Sequence, residues 1–141
     1  MSPAELEELI GDCPTLYHMA EAGSWPAIEQ NGLLSTSALL ELYCIDDAQR
    51  ARIEETHRRD NITVTAPGLP PAVVRDQKPM SDSGLRRALP ARLTAADWYR
   101  LLNAKVFFWL SLERLHRLAG AAAHRDRAHV VLEVDTRSLT L

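Results

Sequence analysis

Helix-opening residues punctuate this chain at irregular intervals, and the strand-like segments between them do not alternate regularly with the helices. Ser2, with Pro3 at the first helical position and Glu5 three residues on, predicts a capped helix with Leu6, Leu9 and Ile10 on its apolar stripe. Gly11, Asp12 and Pro14 stop it, and Thr15-Leu16-Tyr17-His18-Met19 reads as a short strand. Ser24 is the expected cap of a second helix, ended by Asn31-Gly32 in a left-handed turn. The Ser35-Thr36-Ser37 cluster opens a third helix, expected to run on through Ile53 to about Arg58. Ile62–Thr65 and Ala72–Arg75 read as strands around a Pro/Gly loop, and a short helix is expected near Leu85–Leu89. Thr94 and Asp97 bracket the start of a helix over Ala95–Leu102. Lys105–Leu110 is the most apolar stretch and is expected to be a central strand, with Ser111 capping the helix that ends at Gly120. His129–Val134 is the last readable strand. Such an order excludes a regular doubly wound sheet. It predicts an α+β fold: a split, mixed or antiparallel β-sheet flanked by helices.

The 141 residues suit one domain, 1–141, and 46% hydrophobic with 25% charged residues is a globular balance. The apolar run Val106–Leu112 is far short of the roughly 20 residues a membrane span needs. Glu5, Glu7 and Glu8 stand where a secretory signal would carry Lys or Arg. Cys13 and Cys44 have no disulfide-framework or zinc spacing, so they are expected to be packing thiols in a reducing cytoplasm. No membrane partner and no metal are expected. The net charge of −3 hides an asymmetry: residues 1–49 hold nine acids and no Lys or Arg, while 50–141 hold all 16 basic residues against ten acids. A basic half can steer a dinucleotide or a nucleic-acid strand, or its charges can pair within the fold.

No phosphate-binding glycine loop, nucleophile elbow or zincin motif occurs. His57, His116 and His124 read as lone surface histidines. His18 differs, because it sits near the end of an apolar strand start and before a loop, where binding side chains are commonly mounted. A neutral imidazole there can hold a ribose hydroxyl or be a satisfied core histidine.

Leu16-Tyr17-His18, Ile28 and Gly32-Leu33-Leu34-Ser35 together resemble the first strand and helix of the ADP-ribosyltransferase superfamily, with the DarT-type DNA ADP-ribosyltransferases and KptA-type RNA 2′-phosphotransferases as the nearest kin. The chain is similar, more closely still, to an uncharacterised bacterial family of the same kind that shares Val-Arg-Asp-Gln-Lys-Pro and Asn-x-x-Val-Phe-Phe-Trp-Leu segments. The resemblance implies a single ADP-ribosyltransferase-like domain that uses NAD as substrate. It gives His18 the nicotinamide-side ribose, with Tyr17, Met19 and Ser35 beside the cofactor. The Lys105–Ser111 segment is similar to the aromatic strand and Ser-started helix of poly-ADP-ribose polymerase-like domains. Phe108, Trp109 and Ser111 are thereby candidates for the nicotinamide wall, a flat aromatic face suiting a flat pyridinium ring. Strand alternation keeps Phe108 and Trp109 from sharing a face, and a plain aromatic core strand is the competing explanation.

Arg75-Asp76-Gln77-Lys78-Pro79 is a charged cluster after an apolar strand. Arg75 is the candidate for gripping a pyrophosphate or substrate phosphate, with Asp76, Gln77 and Lys78 around it, and a solvent-facing turn with an Arg–Asp pair is the alternative. The superfamily places a late glutamate near the nicotinamide ribose, where it supports an oxocarbenium-like transition state. Glu133 is the candidate acid; otherwise the acid is lost, or the chain lacks its C-terminal strands and leaves a sheet edge in need of a partner. The function implied is transfer of ADP-ribose to a nucleic acid or protein, or NAD hydrolysis, as in a toxin or defence effector. Two alternatives stand beside it. One is a catalytically inactive nucleotide-binding or interaction module. The other is an RNA 2′-phosphotransferase using Arg75, Arg86 and Arg87.

Overall fold

A computed structural model describes residues 2–77, 81–121 and 125–139. In chain order the elements are α1 (Pro3–Asp12), β1 (Thr15–Glu21), α2 (Trp25–Asn31), α3 (Thr36–Leu42), α4 (Asp47–Glu54), β2 (Ile62–Val64), β3 (Ala72–Val74), α5 (Asp82–Ala88), α6 (Ala95–Asn103), α7 (Leu112–Ala119), β4 (His129–Asp135) and α8 (Thr136–Leu139). The fold is α+β. The chain forms two compact units, Met1–Ala22 with Phe107–Leu141, and Gly23–Val106.

The first unit is built on one antiparallel pair. β1 and β4 run from Thr15 opposite Asp135 to Glu21 opposite His129. Leu16, Met19 and Ala20 are buried on β1, and Leu115 of α7 is buried as well. Ser2 opens α1 as its spacing predicts: its hydroxyl accepts from the Glu5 amide at 3.3 Å, and its own amide donates to the Glu5 carboxylate at 2.6 Å. Ser111 caps α7 by accepting from the Arg114 amide at 3.3 Å. At the far end of the ladder the fully buried Thr136 donates its hydroxyl to the Cys13 carbonyl, while its amide reaches the Pro14 carbonyl at 3.0 Å.

The second unit packs helices on the β2–β3 hairpin, in which Ile62 faces Val74 and Val64 faces Ala72. Ala27, Leu40, Tyr43, Ile53, Val64, Ala72 and Val74 make its core. The Tyr43 hydroxyl, otherwise stranded in that core, donates to the Pro70 carbonyl at 2.5 Å. Thr94 and Asp97 form the expected reciprocal cap of α6. Asn103, at the helix's other end, donates to the Glu54 carbonyl at 3.0 Å.

Four expectations need correction. Lys105–Leu110 is not a strand: only Trp109 makes ladder contacts, a single bridge to Tyr17, and Phe107 and Leu110 stand 56% and 49% exposed. An apolar run becomes a central strand only when both its faces are covered. The helix from Ser35 does not reach Arg58 but breaks after Leu42, where Cys44 takes a φ of 51°. Asp46 then starts α4 afresh by accepting from the Gln49 amide at 3.0 Å. Ser24 precedes α2 in helical conformation, ending a 3-10 turn over Ala22–Ser24, and makes no side-chain cap bond. Cys44 is exposed rather than packed; Cys13 is half-buried, and both thiols are free.

Candidate functional site

Hydrogen-bond parity along β1 decides which side chains share a surface. The Tyr17 amide donates to the Trp109 carbonyl at 3.0 Å, and the Trp109 amide returns a bond to the Tyr17 carbonyl at 2.7 Å. Tyr17 therefore spends its main-chain groups away from β4, and its register partner Glu133 is a non-hydrogen-bonded partner. Directly opposed residues of an antiparallel pair point to the same face, and neighbours along a strand to opposite faces. Tyr17 and Glu133 thus share one face. His18, opposite Leu132, belongs to the other.

His18 is anchored on its face by the polypeptide itself. Its Nδ1 lies 2.9 Å from the Phe107 carbonyl, which can only accept, so Nδ1 carries the proton. In the neutral ring Nε2 is then the acceptor nitrogen. Phe108 meets the imidazole edge-on, with centroids 5.9 Å apart and planes at 63°. His18, Phe107 and Phe108 are thus brought together. The carbonyl of Phe107 was invisible to sequence reasoning, which credited the segment with side chains alone.

The other candidates take different places. Met19 is buried, and Ser111 is engaged as a helix cap. Ser35, in the second unit, caps α3 by accepting from the Ala38 amide at 3.2 Å. Glu133 is exposed and turned away from His18. The structure places that carboxylate and the His18 imidazole on opposite faces of the β1–β4 ribbon.

Arg75, Asp76 and Gln77 form a second cluster, inside the second unit, organised by a residue the sequence did not single out. Arg58 is buried, and its guanidinium donates to the Arg75 carbonyl at 3.0 Å and the Ile53 carbonyl at 2.6 Å. Its amide donates to Gln77 Oε1 at 3.1 Å, and its carbonyl receives the Gln77 amide at 2.9 Å. The Asp76 amide donates to Asn61 Oδ1 at 3.0 Å. Burial pulls the Arg58 guanidinium down to about 10, against the opposing pull of Asp76 and Glu54. Gln77 is therefore engaged in holding the chain, and Lys78 lies outside the described residues. His57 is not a lone surface histidine: its Nε2 lies 3.3 Å from the Gln77 carbonyl, and its ring stacks on Tyr99 at 6.3 Å. Tyr99 donates to Asp82 at 2.5 Å and is pushed up to about 12, first by burial and then by that carboxylate.

Among the described residues no group of three or more His, Cys, Asp or Glu side chains is arranged to hold a metal ion, and no helix is long and apolar enough to cross a membrane. A model of a family of unknown function (DUF7002) matches residues 14–141. No curated protein and no solved structure matches the chain.

Proposed function

The chain belongs to the DUF7002 family, and we propose that it is an NAD-binding, ADP-ribosyltransferase-like protein that transfers ADP-ribose to a nucleic acid or protein, or to water. The observation that supports this reading is the fixed imidazole of His18, with Nδ1–H given to the Phe107 carbonyl. That bond fixes the tautomer and the plane of the ring, as aiming an imidazole at a ribose hydroxyl requires. Phe108 at its edge and the exposed ring of Phe107 supply aromatic surface for a flat nicotinamide or adenine.

Breaking the nicotinamide–ribose bond builds positive charge on the ribose, which a nearby carboxylate would stabilise. Glu133 stands on the opposite face of the β1–β4 ribbon from His18. That placement favours a second reading, in which the protein binds the nucleotide without turning it over.

One experiment separates the two. Purified protein is mixed with NAD, and binding is followed by thermal shift while nicotinamide release is followed by chromatography. The transferase reading expects both signals, each lost in His18→Ala. The binding reading expects a melting temperature that rises with NAD, as mass action requires, and no nicotinamide. Absence of binding at millimolar NAD sinks both.

A further inference from the structure

β4 has a second side that the His18 site does not use. Because Tyr17 and Glu133 form a non-hydrogen-bonded pair, the residues of β4 that bond to β1 are Val130, Leu132 and Val134. Val131 and Glu133 then aim their amides and carbonyls at the outer edge. Among the described residues β4 pairs with no strand other than β1. Its seven residues contain no Pro and no Lys, the usual blocks on an open edge, and Val131, third along it, is 39% exposed.

We propose that this edge pairs antiparallel with β4 of a second copy of the chain, about a two-fold axis through Val131. The charge order along the strand selects that partner. Arg127 and His129 lie toward its beginning, and Glu133 and Asp135 toward its end. Arg127 already meets Glu21 at 2.8 Å, and that carboxylate also lies 3.9 Å from His129, so the beginning of the strand is the less acidic one. Parallel pairing of two such edges cannot be isologous, because an outward-bonding residue of one parallel strand sits beside an inward-bonding residue of the other, so no residue can face its own copy. Antiparallel pairing about Val131 sets Glu133 opposite His129 of the second copy and covers each Val131 with the other. Parity agrees, since Val131, Glu133 and His129 are all outward-bonding positions and meet only outward-bonding positions. Moving the axis to Leu132 sets Val131 against a carboxylate; moving it to Glu133 sets two carboxylates against each other. The pairing is isologous and closes at two copies, uniting two ribbons into one four-stranded sheet.

Sedimentation equilibrium of the whole chain at tens of micromolar is expected to give twice the 15.8 kDa protomer mass. Val131→Pro removes an amide that serves no bond within the ribbon, so it is expected to give a folded monomer. The register has its own test, in a chain with Cys13 and Cys44 changed to Ser. Residues opposed at the axis lie about 5.5 Å apart, within disulfide reach, whereas the two Glu133 positions lie roughly 14 Å apart. Val131→Cys is therefore expected to form a covalent dimer under mild oxidation, and Glu133→Cys is not. A monomeric wild-type chain overturns the proposal, as does a dimer indifferent to Val131→Pro or cross-linked equally well at both positions. Should Val131→Pro fail to fold, the cysteine pair decides alone.

Discussion

Replacing Arg58 by Ala tests whether one buried cation organises the Arg75–Gln77 segment. The substitution removes two donors, one to Arg75 and one to Ile53, and leaves both carbonyls without the guanidinium that serves them. Bonds from a charged donor contribute about 1.5–3 kcal/mol each, giving a gross loss of roughly 3–6 kcal/mol. Some of that returns, because the folded state no longer holds a desolvated charge, whose cost shows in the lowered pKa of Arg58. The expected net loss is about 3 kcal/mol, a large share of the roughly 5–15 kcal/mol typical of a folded domain. For a unit of this size that corresponds to a fall of about 12–24 °C in Tm. Arg58→Lys keeps the charge but not the fork, so its ammonium can serve only one carbonyl well, and about half the loss is expected. Urea melts followed by circular dichroism, on wild type and both variants, read these differences directly. A loss under about 1 kcal/mol for Arg58→Ala, or no difference between Ala and Lys, would refute the clamp.

Tyr99 sets an alkaline limit. Its pKa is raised when folded, so its contribution is complete below the unfolded value of 10.0 and is lost as pH climbs through about 12. Tyr99→Phe should remove that slope from stability measured between those pH values. Gly32→Ala is expected to cost about 1–3 kcal/mol, because φ 81° with ψ 173° is a glycine conformation even though a methyl would meet no atom. Gly23→Ala, equally open and without that φ, is the control, and parallel thermal melts compare them. Thr136→Val keeps the shape of a fully buried side chain but drops the bond to Cys13, for an expected loss of about 1–3 kcal/mol in the same melts.

Features whose causes lie within a few residues were legible in the sequence. The caps at Ser2, Thr94 and Ser111 act on amides three residues downstream, so spacing alone reveals them. The Lys105–Leu110 segment shows the limit of that logic, since its aromatic content says nothing about whether two faces will be covered. Arg58 gave no local signal because the groups it holds at Arg75 and Gln77 lie 17 and 19 positions away. His18 was singled out by its place after an apolar strand start and before a loop, and the structure keeps it on β1. The relation of His18 to Glu133 was out of reach, because a face is fixed by register, and register belongs to β1 and β4 jointly.

The ladder between Thr15 and Asp135 also bears on the order in which the molecule assembles. One unit is continuous in the chain, from Gly23 to Val106, while the other gathers segments from both sides of it. The continuous unit can form while the residues beyond it are still being synthesised. β1 cannot complete its ladder until β4 is made. Closing so long a connection carries an entropy cost that grows by roughly 0.6 kcal/mol with each doubling of its length. If the intervening unit folds first, substitutions at Arg58 or Gly32 are expected to slow the appearance of the β1–β4 ribbon in stopped-flow refolding, although neither residue belongs to it.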